Sequence, residues 1–211
     1  MKIQLHNAGK RYNRDWIFRQ LNYNFQPGEN YAVTGPNGSG KSTLLQVLSG
    51  AVSVNEGSCS YYLDDLLLPA EKVFKQVSLC APYLELVEEF TLLEFLYFHQ
   101  AFKPFINGLT PDAIAQEVQL GDARQKKISE YSSGMKQRVK LAQCIFSDAP
   151  LVLLDEPCTN LDDSGIELYH YLIREYCNNR TIIVSSNDKV EYQFCHQIID
   201  ITSYKPLQGL S

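Results

Sequence analysis

Residues 35 to 43 read Gly35-Pro36-Asn37-Gly38-Ser39-Gly40-Lys41-Ser42-Thr43, a G-x-x-x-x-G-K-S string between the apolar run Tyr31 to Val33 and a helix-like Leu44 to Leu48. Glycine at 35, 38 and 40 lets the main chain wrap closely around a polyphosphate. A helix that starts here turns its unpaired N–H groups and positive dipole end toward the same anion. Lys41 is expected to reach the β and γ phosphates of a nucleotide, and the Ser42 hydroxyl to ligate Mg²⁺. Pro36, Asn37, Ser39 and Thr43 complete the phosphate-binding string.

Outward from this loop, Ile3 and Leu5 alternate with polar neighbours. Trp16 to Phe18 and Leu21 to Phe25 read as paired antiparallel strands before the Pro27-Gly28 turn. Gly57 to Leu63 and Val73 to Cys80 are further strand candidates. After Pro82 the spacing turns helical over Leu84 to Ala101, Pro111 to Leu120 and Ser133 to Phe146. Strand character returns at Leu151 to Asp155, followed by a helix at Asp163 to Tyr176 and strands at Thr181 to Ser185 and Gln197 to Ile201. The order predicts an α/β core interrupted by a helical lobe. The stretch Pro104 to Pro111, with Asn107-Gly108, is predicted to be the mobile loop.

The 211 residues suit one domain, or one with an inserted lobe, and a net charge of −5 argues against a broadly basic nucleic-acid face. Met1 to Lys10 lacks the apolar run of a signal peptide. The apolar stretch Leu84 to Phe98 is broken by Glu85, Glu88, Glu89 and Glu94, far short of the ~20 apolar residues of a membrane span. Six scattered cysteines, without a C-x-x-C pair, read as buried thiols.

Two more segments carry chemistry. Leu151 to Asp155 has the pattern of a strand buried on both faces, and its carboxyl end should open onto a ligand crevice. Asp155 is then placed to hold Mg²⁺ through water, and Glu156 to polarise the water that attacks a γ-phosphate. In Tyr131-Ser132-Ser133-Gly134-Met135, hydroxyls and backbone N–H groups gather at a helix start, which makes a second anion site.

Together these segments resemble the nucleotide-binding subunits of ATP-binding-cassette (ABC) proteins over essentially the whole chain. Gly35 to Thr43 resembles their Walker A, Tyr131 to Met135 the LSGGQ signature, Leu151 to Glu156 Walker B, and Asn160-Leu161-Asp162 the D-loop. Tyr12 stands where an aromatic ring usually stacks on adenine. The resemblance implies a P-loop NTPase core with an N-terminal antiparallel β subdomain and an inserted helical subdomain. A single ATP-binding domain is expected, with core residues 1–82 and 148–211 and helical residues 83–147. It also implies ATP and Mg²⁺ as cofactors and head-to-tail pairing with a second ATP-binding subunit, so that Ser132, Ser133 and Gly134 complete the partner's site.

Two positions depart from the family. Pro82 occupies the place of a Gln that contacts Mg²⁺ and the lytic water, and a proline offers the metal no side-chain oxygen. Asn187 follows the strand Thr181 to Ser185 where a switch His is usual; it can donate a hydrogen bond but cannot titrate. Glu85 lies near enough in sequence to substitute for the missing Gln, whereas His196 is misplaced for the switch. The expected function is the ATPase subunit of a membrane transporter with a separate transmembrane subunit, sited in the cytoplasm on the inner face of the membrane, with slow or partner-dependent hydrolysis. Of the apolar residues Tyr83, Leu84, Leu86, Val87, Phe90, Phe95, Tyr97 and Phe98, most are expected in the lobe's core and a minority, around Tyr83 to Phe90, at the docking surface. The alternatives are a non-transport clamp or regulatory module of the same fold, and a small-molecule kinase. Lys41→Ala is expected to abolish nucleotide binding, which titration with a fluorescent ATP analogue checks.

Overall fold

Lys2–Tyr12 (β1) and Asp15–Phe25 (β2) form an antiparallel hairpin, joined by Glu56–Leu63 (β4) and the short Leu66–Leu68 (β5) in a four-stranded sheet of order β2-β1-β4-β5. This computed structural model describes residues 1–205; residues 206–211, the end of the expected core segment, lie outside the described residues. The second sheet is parallel and contains Asn30–Thr34 (β3), Val77–Cys80 (β6), Leu151–Asp155 (β7), Thr181–Ser185 (β8) and Gln197–Asp200 (β9), in the order β6-β7-β8-β3-β9.

This parallel sheet divides two cores. Leu151, Leu153, Ile183, Tyr31 and Val33 face the antiparallel sheet and helix Lys41–Leu48 (α1). Val152, Leu154, Ile182, Val184 and Ala32 face the helical side. That side is built from Leu92–Phe102 (α2), Pro111–Glu117 (α3), Ser133–Ile145 (α4) and Asp163–Tyr176 (α5). Every residue of β7 and β8 is buried, which is why their sequences lack the alternation of a one-faced strand. Full burial of each such Val, Leu or Ile stabilises the fold by about 1.5–3 kcal/mol. Arg180 is also buried: Nε donates to Ala149 O at 2.8 Å, Nη1 to Ile145 O at 2.5 Å and Nη2 to Ser147 O at 2.9 Å. It satisfies carbonyls at and beyond the end of α4 that the helix leaves open, and so ties α4 to the start of β8.

The structure corrects several boundaries. Trp16–Phe18 and Leu21–Phe25 are one strand, not a pair; Gln20, at φ 55°, takes up the register shift against β1. The first half of Val73–Cys80 belongs to a 3₁₀ helix, Ala70–Gln76, that begins after Pro69. Leu84–Phe90 is an extended loop rather than helix, because Thr91 and Glu94 form a capping box that starts α2 at Leu92. Phe105 is buried and bridges to Ser147, and Ile106 N–H donates to Phe146 O at 2.9 Å, so the Pro104–Pro111 stretch is anchored at its start. The short β5 and Lys189–Tyr192 (α6) have too few residues for a periodic signal.

His99 on α2 stacks on Phe105, with ring centroids 5.7 Å apart, and its Nε2 lies 2.8 Å from Ser147 Oγ. Burial, followed by the nearby Lys103 charge, lowers its pKa from 6.5 to about 4. Between those values the unfolded chain binds a proton that the folded chain excludes. This contribution to stability is therefore complete above pH 6.5 and declines as the pH falls towards 4. Urea-unfolding midpoints followed downward from neutral pH should fall over this window, and His99→Gln should flatten the slope.

Candidate functional site

The β3, β7 and β8 strands run parallel with Val33 beside Ser185 and Ser185 beside Asp155. Whatever follows each of those residues leaves the sheet at the same edge. After β3 comes the Gly35–Thr43 loop, after β7 comes Glu156, and after β8 come Ser186 and Asn187. Glu156 has a left-handed backbone, φ 45°, and its N–H donates to Ser185 O at 2.9 Å. Such a conformation costs a non-glycine residue on the order of 1 kcal/mol and turns its side chain away from the strand direction.

The loop's lysine bonds back to the loop's first residue. Lys41 is buried, and Nζ donates to Gly35 O at 2.7 Å. Gly35, Gly38 and Gly40 have φ values of 139°, 73° and 109°, a region that side-chain-bearing residues rarely occupy. Gly40 has a second constraint: a Cβ there would lie 2.3 Å from Ile17 Cγ2. Ile17 lines the loop's cavity of about 210 Å³ along with Asn37, Lys41, Ser42, Thr43 and Glu156. Nothing in its strand pattern distinguished it. Ser39 is buried behind the loop, while Pro36 is exposed.

Asp155 is buried, and its Oδ1 has no hydrogen-bond partner among the described residues. An orphaned buried carboxylate oxygen beside the Ser42 helix fits a cation or its hydration water. No group of three His, Cys, Asp or Glu side chains capable of holding a metal occurs among the described residues, so phosphate oxygens would supply the remaining ligands. Asn187 accepts a 3.1 Å hydrogen bond from Gly35 N–H, and its Nδ2 donates to no described residue. Glu85 lies in a different cavity, with Pro82 and Ser133, and not at the phosphate loop. His196 is exposed beside β9. Tyr12 is 46% exposed at the β1–β2 turn, with Lys10 Nζ 5.1 Å from its ring centre, and does not line the loop's cavity.

The second anion segment is elsewhere. Ser132 caps α4 by accepting from Met135 N–H at 3.2 Å, and helix geometry leaves the N–H groups of Ser133 and Gly134 without intrahelical partners. A Cβ on Gly134 would come within 3.0 Å of Asn160 O, so the signature and D-loop segments touch within one chain. Their two cavities share no lining residue with the phosphate-loop cavity.

Two supporting residues escaped the sequence reading. Gln137 is buried on α4 and donates to Pro157 O at 2.6 Å, just past Glu156; a polar residue on the helix's apolar face was the available signal. Glu191, on the unpredicted α6, accepts from Cys158 N–H at 2.7 Å, and burial pushes its carboxyl pKa up. Burial, with the Glu191 and Asp188 charges beside it, pushes the Cys158 thiol up to about 12.

Asn187→Ala, which removes one exposed hydrogen bond, should change turnover little. Asn187→Asp keeps the acceptor for Gly35 N–H but sets a negative charge beside the polyphosphate, and should weaken ATP binding roughly tenfold, about 1.4 kcal/mol. Calorimetric titration of both variants checks this.

A family model described as ABC transporter matches residues 18–159. The Bacillus subtilis protein YybJ, an uncharacterised ABC transporter ATP-binding protein, is 30% identical over 192 residues, covering 89% of this chain and 86% of its own. A putative ABC transporter ATP-binding protein from Pyrococcus furiosus superimposes with a TM-score of 0.81 at 20% identity, over 98% of this chain and 100% of its own. The ATP-binding cassette MJ0796, in a dimeric post-hydrolysis state with ADP and Pi, superimposes with a TM-score of 0.80 at 23% identity, over 95% of each chain. With its phosphate loop, buried carboxylate and signature helix arranged on that shared fold, this chain belongs to the ABC transporter ATP-binding family and is an ABC-type ATPase.

Proposed function

We propose that this chain powers a membrane transporter by closing on ATP as a head-to-tail pair, in a homodimer or with a related subunit. The observation that carries this reading is the separation of the two anion-binding segments within one chain. A phosphate held by Gly35 to Thr43 cannot also be held by Ser133 and Gly134 of the same subunit, because the two segments open onto cavities with no residue in common. A second copy removes the difficulty, and the similar cassette MJ0796 is dimeric with ADP and Pi.

In this reading the core is residues 1–82 and 148–211 and the helical part residues 83–147. Lys41 and the loop N–H groups grip the β and γ phosphates, and Tyr12 packs on the adenine. Ser42 and Asp155 would hold Mg²⁺, which when bound offsets charge on the phosphates. Glu156 accepts a proton from the attacking water. Asn187 holds the Gly35 N–H and, being neutral, adds little at the γ-phosphate where a titratable group is usual. With Pro82 providing no side-chain ligand, we expect slow hydrolysis when the chain is alone.

No helix among the described residues is long and apolar enough to cross a membrane, so the transmembrane part is assigned to a separate subunit. Exposed apolar side chains suit its docking: Tyr83 and Val87 on the loop, Tyr97, Phe98 and Phe102 on α2, with Phe98 and Phe102 centroids 5.1 Å apart. Phe95 is buried, while Leu86 and Phe90 pack against the core instead. In this reading the chain sits on the cytoplasmic face of the membrane and has no nucleic-acid partner.

Steady-state ATPase assays of the purified chain, alone and with the membrane protein that co-purifies with it, test the proposal. Turnover should be slow alone, rise with the partner, and vanish in Glu156→Gln, which should still bind ATP and dimerise in light scattering. Brisk turnover of the isolated chain rejects slow hydrolysis. Failure of Glu156→Gln to dimerise with ATP rejects the paired mechanism.

A further inference from the structure

The loop that leaves β6 and the helix that carries the signature are joined more closely than their sequences suggest. At its far end the loop pairs with the segment just before the signature: Ile128 N–H donates to Phe90 O at 2.8 Å and Ser129 N–H to Glu88 O at 2.9 Å. One turn into α4, Lys136 Nζ meets Glu88 Oε1 at 2.6 Å. Another turn on, Lys140 Nζ donates to Pro82 O at 2.9 Å. Between these ties a cavity of about 620 Å³, lined in part by Glu85, Ser133 and Asn160, separates the loop from the helix. Among the apolar side chains of the near end, Leu86 packs against the core while Tyr83 and Val87 are exposed.

We propose that Lys140 is a positioning residue that fastens the 82–90 loop to the helix bearing Ser132, Ser133 and Gly134, so that loop and signature move as one body during ATP-driven closure. The inference rests on the paired mechanism proposed above. Its chemical logic lies at position 82. A proline has no side chain with which to grip a neighbour, but its carbonyl is a full acceptor, and a helix lysine two turns past the signature reaches it. The tie uses a backbone group, so it survives the loss of a polar side chain there. The lysine stem crosses the edge of the cavity, and its cation makes a charge-assisted bond stronger than a neutral one. Displacement of the exposed Tyr83–Val87 surface is thereby carried to the helix end that would meet the partner's ATP.

Two measurements on the full chain test this. The first, hydrogen–deuterium exchange, does not depend on function. Lys140→Met keeps the aliphatic stem but removes the donor, and should speed exchange of amides in 83–87 by about fivefold while leaving 128–135 unchanged; Lys140→Arg, which can still donate, should restore the native rate. The second, in a Glu156→Gln background, measures ATP-driven dimerisation by light scattering. Lys140→Met should weaken it by about fivefold, with ATP binding to the single chain held within about twofold, and adding Pro82→Gln should recover part of the loss. Unchanged exchange at 83–87 in Lys140→Met overturns the proposal, as does dimerisation equal to that of the background. If the Glu156→Gln background itself fails to dimerise, the paired mechanism fails, and the exchange result still decides whether Lys140 fastens the loop.

Discussion

The parallel register of β7, β8 and β3 is the constraint on which the candidate site depends. Because Asp155, Ser185 and Val33 occupy one row, three separate lengths of chain end at one edge of the sheet. The phosphate loop follows one strand, Glu156 the next and Asn187 the third. A register slip of one residue in β7 would turn Asp155 to the opposite face and send Glu156 away from the loop. The dense apolar residues of these strands guard against that slip, since both faces are committed to different cores.

That rigidity allows the loops to hold unfavourable conformations. Glu156 and Asn160 are left-handed without being glycine, and Asp155 retains a buried oxygen with no partner among the described residues. Each costs stability by itself; Glu156 and Asn160 line cavities where a bound phosphate would offset the cost, and a cation would do so at Asp155. Neighbouring bonds hold the arrangement: Lys41 to Gly35 O, Gln137 to Pro157 O and Glu191 to Cys158 N–H. The first closes the phosphate loop on its own start, and the other two fasten the segment after Glu156 to α4 and α6.

Much of this was legible in the chain. The G-x-x-x-x-G-K-S string requires glycines at left-handed positions and a helix immediately after, and both are present, although α1 starts at Lys41 rather than Leu44. The doubly buried β7 and the amphipathic α5 were equally plain, the latter to the residue. The segment Leu84 to Phe90 was not. Its apolar content imitates a helix face, but its apolar groups are divided between core packing and exposure, and the Glu88 and Phe90 carbonyls accept from residues 129 and 128. A local window cannot register bonds to partners some forty residues away.

By itself the sequence determined the glycine-rich loop with the helix after it, the acids at the end of β7, the capped start of α4 and the family. Each is a local pattern in which spacing dictates geometry, through glycine torsions, strand periodicity or a helix cap. Only the tertiary structure decided that Ile17 walls the loop, that Asn187 accepts from Gly35, that Lys140 holds the Pro82 carbonyl, and that the two anion segments face separate cavities. Those facts depend on which distant atoms the packed sheets bring within bonding range. Side-chain type and spacing say nothing of that until the register of the strands is set.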